Sequence, residues 1–414
     1  MESIAAPGAG VTPNELAAIE SAVRADEGAY MADLQRLVSI DCGSYTPSGV
    51  DQVGRFVEAF LHSLGADVVS HDDPDGRLGS TVVGTITGDD REGPRLLLIG
   101  HMDTVFDPGT AAERPFRIEA GRAYGPGVTD MKSGLLAGLY GVRALLDVAN
   151  AEGAAGLPFA RITFVANPDE EIGSPVSSPH IRTLAAETDV CFVLECARAN
   201  GDIVSARKGT LDLVATVHGR AAHAGVEPEK GRSAILEAAR LIRELHALNG
   251  RWPGVTVNVG VVAGGTRPNV VAERCVLEID VRATDAAAQD EVEATVRALA
   301  EATEVPDTTI EVERRARHRP MEKLERSGRL VDHVVAIASR LGFEVRDTAT
   351  GGASDANTTS GLGVPTIDGL GPIGGNDHSP AEYLDVASIV PRTALLAGLL
   401  LATARDPVVR QWRG

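Results

Sequence analysis

At 414 residues the chain is longer than one compact domain usually holds, so two structural units are expected. A hydrophobic share of 43% with 23% charged residues is that of a soluble globular protein with a large core. The formal net charge of -19 excludes nucleic acid and anionic membrane as partners, because both are polyanions that would repel it.

The amino terminus, "MESIAAPGAGVTPNELAAIESAV", carries acid where a secretory leader carries Lys or Arg, and it has no long apolar core. A cytoplasmic location is expected, and the first dozen residues, rich in Ala, Gly and Pro, are expected to fray. From about residue 12 to 205, helical stretches alternate with short β-rich runs ("STVVGTIT", "RLLLIG", "RITFVA", "VCFVLE"), which predicts an α/β layer architecture. The next stretch reads strand, helix, strand, strand, helix, strand, a split βαβ sandwich over residues 207–317 whose strands alternate cleanly. Beyond 318 the α/β rhythm resumes with the helix "SGRLVDHVVAIASRLG" and the strand "VPTID". The simplest explanation is a discontinuous domain, 1–206 and 318–414, interrupted by the small sandwich. The late apolar run "ALLAGLLLATA" is too short for a bilayer span and reads as a packed helix. Cys42, Cys191, Cys196 and Cys275 show neither C-x-x-C spacing nor the density of a disulfide scaffold, so they read as reduced, mostly buried thiols.

Candidate functional residues fall where these strands end. His101 sits one residue past "RLLLI", and in α/β sheets ligands collect at the carboxyl ends of strands. An imidazole that holds a metal through one nitrogen needs an oxygen on the other, and Asp103 is near enough in sequence to supply it. Taken singly, such a histidine is more often structural than a ligand. Two later strands end in the same way, however: "RITFVANPDEE" delivers Glu170 and Glu171, and "VCFVLE" stops on Glu195. Asp130 precedes a long apolar helix, where a helix cap is the plain alternative, and His378 lies in a glycine-rich loop, where the alternative is an exposed turn residue. Together His101, Asp130, Glu171, Glu195 and His378 supply about the five ligands that two metals sharing a carboxylate require. Glu170 is left over, suited to take a proton from an attacking water whose pKa a zinc ion can lower to about 7.

These residues stand in the stretches "GHMDTV", "YGPGVTDMKSG", "NPDEEIGS", "FVLE", "GRAAHAGVEPEKG", "GGASDAN" and "NDHSP". In that order they resemble the dizinc family of acetylornithine deacetylases, succinyl-diaminopimelate desuccinylases and carboxypeptidases, the glutamate carboxypeptidase branch above all. The likeness spans nearly the whole chain, and no H-E-x-x-H motif of unrelated metalloproteases occurs. It implies an aminopeptidase-like catalytic domain, a mixed sheet flanked by helices, with an inserted βαββαβ ferredoxin-like lid that also serves dimerisation. It implies two zinc ions, with cobalt or manganese as possible substitutes: His101 and Glu195 on one, Glu171 and His378 on the other, and Asp130 bridging them through a loop with a cis Asp130–Met131 bond. Asp103 would orient His101, and Glu170 would be general base and then proton donor. His223 matches the histidine that reaches into a partner's site in dimeric relatives, so a homodimer follows by resemblance, with a surface histidine as the plain alternative. Asn269, Arg282 and Arg319 match positions that grip a substrate carboxylate, the natural bidentate partner of a guanidinium.

Two departures bear on substrate choice: Lys208 and Ala353 stand where glutamate carboxypeptidase has small uncharged residues and a glycine. Cys196, directly after Glu195, is either a competing zinc ligand or a buried thiol. The expected reaction is hydrolysis of an amide bond beside a free carboxylate, releasing a C-terminal amino acid from a peptide or an N-acyl amino acid. A deacylase of small N-acyl amino acids is the rival with the same metals. A non-catalytic metal-binding protein of the same fold would have lost a ligand or the base, and neither is lost.

Overall fold

The computed structural model describes residues 6–151 and 156–412. The chain divides into two compact units, 1–205 with 323–349 and 354–414, and 206–322 with 350–353. Each has its own hydrophobic core.

In the larger unit a six-stranded sheet runs, edge to edge, Asp67–His71, Thr81–Thr87, Arg161–Asn167, Arg95–His101, Val190–Val193 and Thr366–Ile367. The first two pairings are antiparallel and the other three parallel, so the sheet is mixed. Helices flank it. Lys132–Ala151 packs on Arg95–His101 and on the helix Ile389–Arg405. The apolar runs explain the central strands: "RLLLIGH" is buried from Leu96 to His101, as a parallel strand covered on both faces must be. Register places His101 opposite Asn167 and Ile99 opposite Val193, so three strands deliver the residues that follow them to one edge. A small antiparallel sheet orders Gly374–Gly375, Tyr383–Asp385, Arg122–Tyr124 and Arg117–Glu119, and its first pairing closes the turn that carries His378.

Helix Ile389–Arg405 belongs to a 20-residue stretch, Val386–Arg405, whose most apolar 18-residue window has a mean hydropathy of 1.7. Its most apolar window is 83% buried within the protein, which makes it a core helix. In its first turn Arg392, 1% exposed, donates to the carbonyls of Gly371, Gly201 and Gly369.

The smaller unit is an antiparallel sheet, Thr256–Gly264, Arg274–Ala283, Gly209–His218 and Thr309–His318 in spatial order, with helices Ala234–His246 and Ala286–Glu301. The alternation in Arg274–Ala283 sends Cys275, Leu277, Ile279 and Val281 into the core. Its chain order is β-α-β-β-α-β. The unit extends past residue 317, because His318 still pairs with Thr210 and Met321 bridges back to Arg207. It also takes in 350–353, where Lys208 donates its amide to Thr350 and Arg207 its guanidinium to Gly352.

The amino terminus corrects one expectation. Residues 1–5 lie outside the described residues, but 6–12 are anchored rather than frayed. The Gly8 amide donates to His333 Nδ1 at 2.9 Å, Val11 is 2% exposed, and Thr12 forms a capping box with Glu15.

Candidate metal centre

Five segments of the larger unit meet at the carboxyl edge of its sheet. His101 ends the strand Arg95–His101 and is 1% exposed. Its Nδ1 lies 3.0 Å from the backbone carbonyl of Asp103 and 3.3 Å from Asp103 Oδ1. With both oxygens on that side the ring is fixed, and Nε2 is left facing Asp130 Oδ1 at 3.1 Å and Glu195 Oε1 at 3.7 Å. Across the cluster, His378 Nε2 is 3.1 Å from Asp130 Oδ2 and 3.1 Å from Glu171 Oε2. Each oxygen of Asp130 therefore faces a different imidazole, and the Asp130–Met131 peptide is cis. Glu170 lies on the His101 side, where ligand atoms of His101, Glu170 and Glu195 fall within 4.8 Å of one another; those of His101, Asp130 and Glu171 do likewise.

The Asp103 carboxylate does more than face His101. Oδ1 accepts the Glu170 amide at 3.1 Å, and Oδ2 accepts the Glu171 amide at 3.2 Å and the Ser44 hydroxyl at 2.6 Å. One buried aspartate thus sets both a ring and the turn that presents two glutamates. Behind that turn, fully buried Asn167 and buried Asp355 are joined, and Asp355 also accepts the Ser174 hydroxyl at 2.7 Å. Glu382, 1% exposed, receives the amides of Gly127, Thr129 and Asp130. His378 and Asn376 hold φ of 60° and 59°, a left-handed backbone that non-glycine residues adopt at some cost.

Charge balance points to a cation. Burial pushes Glu171 up against the pull of His378, and it pushes Glu170 well up with the Glu195 charge adding to it. Asp130 is opposed by burial but drawn well below the usual carboxylate range by its two histidines. The hydrogen bonds of Asp130 and Glu171 raise His378 to about 11. Burial opposes a charged His101, yet Asp103, Asp130 and Glu195 outweigh it and hold it well above 6.5. Without an ion, protonated imidazoles are what balance the crowd of carboxylates, and a divalent cation fits the same place with oxygen and nitrogen donors of the right kind. Farther out, burial lifts Asp355 to about 7 against the Ser174 hydrogen bond, and lifts Glu382 to about 7 against its three amides. Cys196 is driven well up by burial and by Asp377, so it is a thiol, hydrogen-bonded to Asp377 at 3.8 Å, rather than a competing thiolate. All four cysteines are free and buried.

The remaining sequence candidates belong to the smaller unit. His223 and Asn269 are both exposed and lie on paired segments: His223 bridges to Val270, and the Ala224 amide donates to Asn269 O at 3.0 Å. Arg282 and Arg319 already carry ion pairs within the unit, to Asp280 at 2.8 Å and Asp290 at 3.0 Å. Sequence reasoning passed over Glu382 and gave Asp355 no role. The available signals were an acid four residues after His378 and an aspartate inside "GGASDAN".

The family model described as Peptidase family M20/M25/M40 matches residues 97–402. Among curated proteins, Carboxypeptidase G2 of Pseudomonas sp. (strain RS-16) is 31% identical over 383 residues, 91% of this chain and 89% of that one. A succinyl-diaminopimelate desuccinylase of Dechloromonas aromatica (strain RCB) is 27% identical over 321 residues, covering 74% and 83%. Among solved structures, aminopeptidase PepT from Bacillus cereus ATCC 10987 superposes with a TM-score of 0.70 at 23% identity, covering 91% of this chain and 98% of that one.

Proposed function

This chain belongs to peptidase family M20/M25/M40 and is a metal-dependent hydrolase of that family; on that premise we propose that it cuts an amide bond beside a free carboxylate, releasing a C-terminal amino acid from a peptide or an N-acyl amino acid. The observation that carries the proposal is Asp130, whose two oxygens each face a histidine at 3.1 Å with Glu195 and Glu171 alongside. His101 and Glu195 would hold one divalent ion, Glu171 and His378 a second, and Asp130 both. When bound, such ions, zinc in the first place, would supply Lewis acidity toward the amide carbonyl and acidify the attacking water.

The protein's own side chains do the rest. Asp103 keeps the His101 ring in one orientation through its carbonyl and carboxylate. Glu170, held by the amide contact of its own backbone to Asp103, takes a proton from water as oxygen attacks the carbonyl carbon. It returns that proton to the amide nitrogen as the C–N bond breaks, so water is added across the bond and Glu170 ends as it began. His223 from a second copy is assigned to the developing oxyanion, and Asn269, Arg282 and Arg319 to the substrate carboxylate. A second copy is supported by the outer strand Thr256–Gly264, where Val261 and Val262 are 48% and 54% exposed, and by Leu236 at 63%.

The likeness to a desuccinylase favours one rival, removal of a small acyl group from an amino acid by the same residues. Incubating the purified protein with C-terminal glutamyl amides, dipeptides, and acetyl and succinyl amino acids, with and without a chelator, separates the two readings. Chelator-sensitive release of a C-terminal amino acid supports the first. Turnover of small acyl compounds alone replaces it with the second, and turnover that survives complete metal removal rejects both.

A further inference from the structure

The loop that presents Asp130 and the turn that presents His378 are joined by a side chain that belongs to neither ligand set. Glu382 lies four residues beyond His378, at the end of a turn closed by the pairing of Gly374–Gly375 with Tyr383 and Leu384. Its own amide donates to Ser379 O at 3.2 Å, while Asn376 Nδ2 reaches Ala381 O at 3.2 Å. Its carboxylate leaves the turn and enters the other loop, where Oε2 accepts the Gly127 amide at 2.9 Å and Oε1 accepts those of Thr129 and Asp130 at 2.9 and 3.1 Å. Three backbone donors converging on one carboxylate form a cradle for negative charge.

The cradle depends on two close approaches. Gly127 has φ of 70°, and a Cβ there would lie 2.6 Å from Thr104 Cγ2. A Cβ on Gly374 would lie 1.8 Å from Thr129 Oγ1, so the strand before the His378 turn rests directly on the Asp130 loop.

Resting on the two-ion reading above, we propose that Glu382 is a positioning residue that locks the Asp130 loop to the His378 turn, and so sets the bridging carboxylate where both imidazoles face it. Its contact is with Asp130's amide, and its effect on the ions passes through Asp130. Glutamine has the same shape but offers one acceptor oxygen, and its NH2 group must face at least one of the three amides, donor against donor. The Asp130 loop then loses its register with the turn.

Zn2+ affinity of the metal-free protein, measured by competition with a chromophoric chelator, is the direct test, with the visible absorption of the Co2+-loaded protein as a second readout. Glu382→Gln is expected to weaken metal binding about 10- to 100-fold, the usual effect of losing a group that orients a ligand, and to change the Co2+ spectrum. Asp406→Asn, a variant of the distant Asp406–Arg329–His333 cluster, serves as a control for lost stability. It should lower the unfolding midpoint without changing either metal readout. The proposal is overturned if Glu382→Gln binds Zn2+ as tightly as the unaltered protein with an unchanged Co2+ spectrum, or if Asp406→Asn weakens binding as much. Should Glu382→Gln not fold, Glu382→Asp, which keeps the charge but shortens the reach, is judged by the same criteria. A different result, an unaltered protein that binds no divalent ion, would sink the two-ion reading rather than this assignment.

Discussion

Replacing Glu170 with Gln is the sharpest perturbation of the proposed chemistry, because it removes a charge and a proton acceptor while keeping volume and shape. General-base assistance is worth about 10²–10⁴ in rate, and Glu170 is the carboxylate on the His101 side that the proposed ligand set does not use. A fall in kcat of about 10³ is therefore expected, which is about 4 kcal/mol of transition-state stabilisation. KM should change little, since the substrate contacts are assigned elsewhere. The structure adds a second expectation of opposite sign. Burial and the neighbouring Glu195 charge both disfavour ionised Glu170, with Asp355 adding to them. Replacing a carboxyl whose ionisation the fold opposes with a neutral amide should raise the unfolding midpoint of the metal-free protein, whereas a merely structural glutamate would leave it lower. Steady-state kinetics with metal in excess, together with calorimetry of the metal-free protein, read both quantities. A kcat within tenfold of the unaltered enzyme, or a drop in midpoint with metal content lost, refutes the assignment.

Other variants test the frame that holds the site. Arg392→Met leaves three buried glycine carbonyls without their donor, at about 1–3 kcal/mol each before relaxation. Part of this is offset because a buried charge is also removed, and a net loss of about 3–5 kcal/mol should appear in urea unfolding; a loss below about 1 kcal/mol would contradict it. Acid stability should carry the mark of His333 and Asp406. His333 is held neutral, accepting from Gly8 at Nδ1 and donating to Asp406 from Nε2, and burial lowers its pKa from 6.5. Its contribution is present above 6.5 and is lost as pH falls below that value toward the lowered folded pKa. Asp406 is opposed by burial but drawn down from 3.8 by its hydrogen bonds with Arg329 and His333, so its contribution is lost as pH falls from 3.8 through its folded value. The unfolding midpoint should thus fall in two stages on acidification, and Asp406→Asn should flatten the lower one; an unchanged acid limb would be evidence against this. Val262→Asp should convert a dimer to monomer in sedimentation at unchanged secondary structure, and a monomeric parent protein would dispose of the dimer reading.

Much of the frame is legible in the letters because the strands that deliver the site are unbroken apolar runs, and such runs end where chemistry begins. "RLLLIGH", "RITFVAN" and "VCFV" are the adjacent parallel strands; His101 ends the first, and Glu170, Glu171 and Glu195 follow the other two. What is not legible is whatever depends on the backbone. Asp103 was read as a partner for one ring, yet its carboxylate also accepts two amides, and an amide has no letter of its own. Glu382 and Asp355 escaped for the same reason: their partners are main-chain donors and side chains far away in sequence, brought near by folding alone. The anchored amino terminus was misread because small residues look like a loose end. Gly8 and Gly10 are instead close-packed, with Cβ positions that would meet Ala336 and Ala402 at 3.0 and 2.9 Å.

The most direct measurement is anomalous X-ray scattering at the zinc edge from crystals of the zinc-loaded protein. Two peaks are expected, one beside His101 and Glu195 and one beside Glu171 and His378, with Asp130 reaching both. Density at neither place, or a single ion held by residues outside this set in fully active protein, would contradict the account.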